Sequence, residues 1–281
     1  MSRTVAVLVA YHPEEHLTEN VRALLEQVSH VVIVDNESSE GSKKILGKVS
    51  RSAVSYIFNE SNLGVAKGFN QGIRWGIENG YDYFLLMDQD SRPQEQMVAK
   101  LLKAMEAFTL KGQMALVGPH HEDFKRKIPV TSALEVETAP LLITSGSLLS
   151  KKIVDKIGFY DERLFIDHVD HDYCLRVIKN GGVCAKVNTA VLQHRFGKAE
   201  VRTVLGKSFF LQDYSSFRRY HMMRNRIVLY KRYGVLKDTW FWMDLRSASK
   251  DLLKLILFES GKRNKLLAVL KGLVDGLKWK D

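Results

Sequence analysis

The stretch Tyr83-Phe84-Leu85-Leu86-Met87-Asp88-Gln89-Asp90-Ser91 runs four apolar residues, Phe84 to Met87, straight into two carboxylates spaced by one residue. A short apolar run bounded by polar residues predicts a strand buried on both faces. Residues i and i+2 of an extended chain point to the same side, so Asp88 and Asp90 are expected to face one direction from the strand's end. Ligands of open parallel sheets sit at the carboxyl ends of the strands. Two like charges there repel unless a cation lies between them, and a hard divalent ion suits such oxygen ligands. Asp-x-Asp-Ser-x-Pro is also good turn chemistry, and the motif alone leaves both readings open.

Outward from that strand the pattern repeats. Thr4 to Tyr11, Val31 to Val34 and Ala53 to Phe58 are short apolar or alternating runs. Glu14 to Ser29, Ser39 to Gly47 and Val65 to Asn79 carry helical spacing between them. Four strands alternating with helices predict βαβ units and a mostly parallel sheet. His12-Pro13 follows the first strand where a dinucleotide fold would place Gly-x-Gly-x-x-Gly, which argues against a Rossmann dinucleotide enzyme. Further on, Gln94 to Phe108 is expected as a helix started by Pro93, and Met114 to Gly118 as a strand. His120 to Thr138 is expected as a loop or hairpin at the rim, and Val183 to Val187 and Ala190 to Leu192 as two strands.

Composition is that of a soluble globular protein: 281 residues, 45% hydrophobic and 26% charged. Two cysteines, Cys174 and Cys184, are too few for a disulfide framework and suggest a reducing cytoplasm. Neither a signal peptide nor a bilayer-spanning run is expected. The net charge of +10 is confined to one end: Leu205 to Asp281 holds 17 Lys+Arg against 7 Asp+Glu, and residues 1–204 balance. That C-terminal quarter shows apolar stripes at helical spacing (Phe217, Tyr220, Met223, Ile227, Tyr230; Leu245, Leu252, Leu255, Ile256; Leu266, Val269, Leu270, Leu273, Leu277). Basic residues such as Arg218, Arg219, Arg224 and Arg226 lie between them. Two or three basic amphipathic helices are expected, with an anionic surface as candidate partner. The division expected is a catalytic domain over 1–204 and a helical extension over 205–281, in contact with a membrane surface or a second subunit.

Several residues stand out for chemistry. Asp35 ends the second strand, where its carboxylate could serve a ligand or cap the following segment. Asn62, Gly64 and Gly68 form a loop-to-helix junction where backbone can approach an anion, or plain turn chemistry. Asp167, Asp170 and Asp172 make a second acidic cluster before Cys174-Leu175-Arg176, for which the acid-rich start of a helix is the other reading.

These residues carry a resemblance. The chain resembles an inverting family 2 glycosyltransferase of GT-A (Rossmann-like) fold, and within that group the bacterial rhamnosyltransferases. The stretches that match are Val34 to Ser38, Asn62 to Gly72, Asp88-Gln89-Asp90, Asp167 to Arg176, His194-Arg195-Phe196-Gly197 and Tyr220 to Asn225, in the family's order. The resemblance implies donor contacts from Ala10, Tyr11, Asp35, Asn62, Gly64, Lys67, Asn70, Asp88, Gln89 and Arg224. It implies metal ligation by Asp90 and His194, with Mn2+ or Mg2+ bridging the diphosphate, and an acceptor side at Ser145, Gly146, Asp167 and Asp172. Asp170 is implied as the general base; Val169 stands where many members carry Glu, and the second residue of that pair is intact. The implied donor is dTDP-β-L-rhamnose. The implied acceptor is a cell-surface polysaccharide or lipid-linked glycan, and the enzyme is cytoplasmic or peripheral on the inner membrane face, with a homodimer possible. A UDP-hexose donor on the same fold is one alternative. A nucleic-acid-binding protein using the basic tail is the alternative of another class, but no recognisable module interleaves its basic residues with exposed aromatics.

Overall fold

The computed structural model describes residues 3–49, 52–124, 132–194, 200–204, 207–234 and 239–281. Its chain divides into two units, the first comprising Met1–Phe165 with Val169–Arg195, the second Ile166–His168 with Phe196–Asp281.

The first unit is built on a nine-stranded sheet. Strands β1 (Thr4–Ala10), β2 (His30–Asn36), β3 (Val54–Asn59) and β4 (Tyr83–Asp88) run parallel in the order β3-β2-β1-β4. Helices α1 (Leu17–Leu25), α2 (Glu40–Gly47) and α3 (Val65–Glu78) connect them. Beyond β4 the order continues through β8 (Leu148–Ser150), β6 (Ala115–Asp123) and β9 (Val183–His194) to the edge strand β5 (Ser91–Pro93), and β7 (Val136–Thr138) pairs with β9. β8 is antiparallel to both β4 and β6, and β5 and β7 are antiparallel to β9. Helices α4 (Met97–Leu110), α5 (Lys151–Ile157) and α6 (Val169–Lys179) complete the unit. The sheet is thus mostly parallel and flanked by helices, as the strand–helix alternation predicts.

Both faces of β1 are buried, which explains its unbroken apolar run. Ala6, Leu8 and Ala10 pack into a core with Leu17, Val21 and Leu24 of α1 and with Leu101 and Met105 of α4. On α3, Gly68, Gly72 and Gly76 lie over Val9, Val7 and Val5 in turn. A Cβ at Gly72 would overlap Val7 Cγ1, and one at Gly76 would stand 2.8 Å from Phe84 Cε1. The glycine stripe lets α3 lie against the sheet antiparallel to β1, so the helix N-terminus is delivered to the carboxyl ends of the strands. Gly68, expected to let backbone approach a ligand, faces Val9 instead.

Three sequence expectations are corrected. Pro93 does not start a helix: it ends edge strand β5, where its missing N–H costs no ladder bond, and α4 begins only after Gln96, at φ +58°. His120 to Asp123 is not rim loop but the second half of β6, paired with Val191 to His194. The two strands expected between Val183 and Leu192 are one, with a register shift between Pro119 and His120 of its partner. That shift sets where His194 emerges.

The second unit holds the β10 (Glu200–Val204) and β11 (Lys207–Leu211) hairpin and helices α7 (Ser216–Tyr233), α8 (Thr239–Phe258) and α9 (Lys262–Lys278). The amphipathic pattern expected of α7 is partly inverted. Arg219, Asn225 and Arg226 are buried, whereas Phe217 of the apolar stripe is 56% exposed. Arg226 Nε meets Asp244 at 2.7 Å, and Tyr230 donates to the same carboxylate at 2.7 Å. Arg219 and Lys265 pair with Glu259. Burial pushes the Asp244 carboxyl up, but the His168 and Arg226 contacts outweigh it and hold the group below its ordinary range. A depressed carboxyl contributes stability that is present above its unfolded pKa and lost as pH falls through the folded one.

Gly72→Ala is expected to destabilise the first unit by about 1–3 kcal/mol, because the added methyl meets Val7 in a packed core. Urea denaturation followed by circular dichroism measures it, and a loss below about 0.5 kcal/mol, the level of ordinary surface changes, would show that α3 can lift without cost.

Candidate active site

β4 ends at Asp88, and β5 begins at Ser91. Asp88 and Asp90 therefore converge across a turn rather than along one extended strand. The β5–β9 pairing sets His194 directly across from Ser91. Asp88, Asp90 and His194 each present a ligand atom within 4.8 Å of the others, and His194 Nδ1 lies 3.5 Å from Asp90 Oδ1. Sequence-distant residues are thus brought together at the carboxyl ends of the strands. The rest of the motif, Arg195 to Gly197, lies outside the described residues.

Serines hold this cluster in place. Ser91 Oγ is 2.7 Å from His194 Nδ1 and 2.8 Å from Ser145 Oγ, and Ser145 Oγ accepts the Asp88 N–H at 3.0 Å. A metal-binding histidine is ordinarily fixed by a hydrogen bond to its other ring nitrogen, and a hydroxyl can serve either tautomer. His121 lies behind, its ring edge-on to His194 at 6.4 Å and its Nε2 2.9 Å from the Ser145 carbonyl. Because a carbonyl only accepts, His121 Nε2 carries the proton. Burial lowers the His121 pKa to about 4; the Ser145 bond opposes this, and the neighbouring His194, His120 and Lys186 add to it. His121 is therefore a neutral donor at pH 7. Gly146, at φ +84°, is locked by Pro119 and Leu192, where a Cβ would come within 2.5 Å of Pro119 Cγ. Ser145 and Gly146, expected on the acceptor side, thus form the support beneath Asp88.

The donor set fits a divalent cation. Two carboxylates and an imidazole suit Mn2+ or Mg2+ in their oxygen content, with the imidazole favouring Mn2+. Asp90 Oδ1 is buried with no hydrogen-bond partner among the described residues, and an orphaned carboxylate oxygen of this kind costs free energy unless something electropositive reaches it.

Around this cluster lie the other expected residues. Ala10, at the end of β1, pairs in register with Asp35 of β2. Asp35 is 1% exposed; its Oδ1 accepts the Ser38 N–H at 3.0 Å, and its Oδ2 is buried and unpartnered among the described residues. Tyr11 is 45% exposed, and its backbone N–H and C=O bond both ends of the Gln89 amide at 2.8 and 3.1 Å. Gln89 therefore ties the turn between the two aspartates to the end of β1. Asn62 Oδ1 accepts from Gly64 N–H at 3.0 Å and from Asn36 Nδ2 at 2.8 Å. Gly64, at φ +86°, is the N-cap of α3, and a Cβ there would meet Phe165 at 2.7 Å; no other residue fits. Lys67, in the first turn of α3, is half-buried and makes no hydrogen bond or ion pair among the described residues.

Two expected contacts are corrected by burial. Asn70 is fully buried, and its amide is used on Tyr160, both N–H and C=O, and on Glu162. It holds up the segment before the acidic cluster and has no free edge for a donor. Asp172 is 1% exposed and bonded to Arg176 Nε at 2.9 Å, so it braces α6 rather than facing an acceptor. Asp170 opens α6 half-buried, its Oδ1 accepting the His171 N–H at 2.9 Å. Asp167 and Arg224 belong to the second unit. There Arg218 grips Asp167 through Nε and Nη2, and Asn225 donates to the Ile166 and Asp167 carbonyls, both at 2.8 Å. Arg224 donates to Asn225 Oδ1 and lies over the Tyr220 and Trp279 rings. Sequence reasoning missed Ser91 and His121. Only the position of Ser91 directly after Asp90 and the His120-His121 pair hinted at them.

The glycosyl transferase family 2 model matches residues 5–158, more than half of the chain. The chain belongs to this family. It is 28% identical over 297 residues to dTDP-rhamnosyl transferase RfbF of Shigella flexneri, covering 99% of this chain and 96% of the relative. It is 25% identical to galactofuranosyltransferase GlfT1 of Mycolicibacterium smegmatis, over 83% of this chain and 84% of the other. Among solved structures, GalNAc-T7 with UDP, GalNAc and Mn2+ superposes with a TM-score of 0.64 at 12% identity, covering 99% of this chain. S. aureus TarS superposes with a TM-score of 0.53 at 17% identity, covering 92%. The chain spans 56% and 44% of those two proteins. The family 2 protein is a glycosyltransferase of GT-A fold.

If the cluster is a cation site, Asp90→Ala abolishes Mn2+ binding measured by calorimetry, and Ser91→Ala weakens it about 10–100-fold by freeing the His194 ring. Unchanged Mn2+ affinity in Asp90→Ala would place any ion elsewhere.

Proposed function

We propose that this protein is a metal-dependent inverting rhamnosyltransferase. It moves L-rhamnose from dTDP-β-L-rhamnose to a hydroxyl of a cell-surface polysaccharide or lipid-linked glycan, in the cytoplasm or at the inner membrane face. The observation that carries this reading is the convergence of Asp88, Asp90 and His194 within 4.8 Å at the strand ends. It occurs on a family 2 chain 28% identical, nearly end to end, to a protein named as a dTDP-rhamnosyl transferase.

The roles follow from the chemistry each group offers. The buried Oδ2 of Asp35, unpartnered among the described residues, accepts from the N3–H of the donor's pyrimidine. Ala10, Tyr11, Asn62 and Gly64 shape the floor for the nucleoside, with Gln89 holding the Tyr11 backbone in place. The N-terminus of α3 and the Lys67 ammonium face the diphosphate, since the positive end of a helix dipole and a cation both favour anions there. Asp88, Asp90 and His194 hold the divalent ion, which when bound would neutralise charge gathering on the leaving diphosphate.

Transfer is a single displacement. An acceptor hydroxyl is a poor nucleophile until a carboxylate takes its proton in the transition state. Asp170 is that base. Its Oδ1 is oriented by the His171 N–H, and Oδ2, which makes no hydrogen bond among the described residues, receives the proton. The hydroxyl oxygen forms its bond to the anomeric carbon on the face opposite the nucleotide. The carbon–oxygen bond to dTDP breaks, the electron pair leaves with the diphosphate, and configuration inverts.

Asp170→Asn is expected to leave dTDP-rhamnose affinity unchanged and to lower kcat about 10²–10⁴-fold. Calorimetry with Mn2+ and with EDTA, together with transfer assays, measures both. Transfer by Asp170→Asn at the wild-type rate would remove the base assignment. Metal-dependent binding of UDP-glucose in preference to dTDP-rhamnose would replace the donor but keep the class.

A further inference from the structure

Helices α8 and α9 each turn a row of large apolar side chains outward. On α9 the packed side carries Gly272 and Gly276. A Cβ at Gly272 would stand 2.5 Å from the Tyr220 carbonyl of α7, and one at Gly276 would stand 2.7 Å from Ile227 Cβ. The opposite side carries Leu267, Leu270, Val274 and Leu277 at helical spacing, between 45% and 60% exposed. On α8 the buried side holds Trp240, Asp244 and Leu255, while Trp242, Leu253, Ile256 and Leu257 are between 46% and 56% exposed. Soluble proteins seldom present so many large apolar side chains on adjacent helices unless something covers them.

The charges beside these stripes name the covering surface. Arg246 and Lys250 border the α8 stripe, and Lys271 and Lys278 run alongside that of α9; all four are exposed. The acids of the same helices are turned inward or already engaged. On α8, Asp244 is buried in an ion pair with Arg226, and Asp251 is half-buried and interacts electrostatically with Arg219; on α9, Asp275 accepts from Tyr220 at 2.9 Å, and Glu259 between the two helices is buried against Arg219 and Lys265. The outer surface is therefore leucine and tryptophan rimmed by lysine and arginine. That combination fits the headgroup–acyl boundary of an anionic bilayer, where apolar side chains enter the hydrocarbon edge and basic ones meet phosphate. A second copy of this chain would bring the same basic rim against itself, which like-charge repulsion disfavours. Nucleic acid would meet the lysines but has nothing for solvent-exposed leucines to enter. Among the described residues no helix is long and apolar enough to cross a membrane, so contact with a bilayer is along its surface. We infer that the outer faces of α8 and α9 form a docking surface for an anionic lipid membrane. This deepens the partner side of the proposed function and does not depend on the donor or the base.

The test is co-sedimentation of the full chain with vesicles of phosphatidylcholine alone and of phosphatidylcholine mixed with phosphatidylglycerol. The chain is expected on the mixed vesicles only, with binding that weakens as salt rises. The pair Leu253→Ser and Leu257→Ser, and separately Lys250→Glu with Lys271→Glu, should each weaken it by about tenfold or more. The melting temperature and donor affinity should stay unchanged, which separates this surface from the transfer site. Equal vesicle binding by wild type and both variants would overturn the inference. So would absence of vesicle binding together with a dimer, seen by light scattering, that Leu253→Ser/Leu257→Ser dissolves. A salt-sensitive shift of arbitrary duplex DNA with no vesicle binding would overturn it in favour of nucleic acid.

Discussion

Two carboxylates and an imidazole held within 4.8 Å of one another are an electrostatic liability, and much of the first unit is arranged so that it persists. Asp88 and Asp90 repel, and one oxygen of Asp90 is buried without a hydrogen bond among the described residues. Nothing within a flexible loop would keep such groups together. They are fixed because β4 and β5 are both locked into one sheet, with a turn between them that Gln89 ties to the end of β1. His194 arrives from the far side of the sheet on β9, and the register shift opposite Pro119 and His120 sets where that strand emerges. The Ser145–Ser91–His194 chain then removes the remaining freedom of the imidazole.

The same sheet is served by a helix that lies unusually close to it. Gly68, Gly72 and Gly76 of α3 follow Val9, Val7 and Val5 down the strand, and the helix start is thereby aimed at the strand ends where Asp35 and Asp88 lie. Gly64 completes the arrangement with a left-handed backbone tight against Phe165. Apolar packing on one side of the helix thus sets up an anion-favouring end at the other. The second unit solves a different problem. It carries the whole basic excess of the chain, and it buries part of that charge in ion pairs to Asp244 and Glu259. Breaking one side of such a pair is costly because the other charge stays buried. With acids and arginines inside and glycines at the α7–α9 contact, Leu253, Leu257, Leu267, Leu270 and Leu277 are left on the outside.

Much of this was legible in the residues. The alternation of apolar runs and helical spacing over residues 4–88 is period information, and period is what a linear sequence carries best. Asp35, Asp88, Asp90 and His194 were legible as polar residues at the ends of apolar runs. Asn70 and Asp172 misled because a side chain's type does not say whether its hydrogen-bonding capacity is already used; Tyr160, Glu162 and Arg176 use it. The C-terminal stripes left a related question open. Periodicity shows that a helix has two faces, but not which one is covered.

By itself the sequence determined a parallel α/β sheet with acidic strand ends, a family 2 glycosyltransferase pattern, and a basic helical tail. Each of these rests on local spacing, composition or motif order. Tertiary structure alone decided that Asp88, Asp90 and His194 meet, that Ser91, Ser145 and His121 stand behind them, and that Arg219 and Arg226 go inside while Leu253 and Leu257 stay out. Those outcomes depend on strand register and on which neighbours satisfy each buried polar group, quantities set between segments far apart in the chain rather than within any one of them.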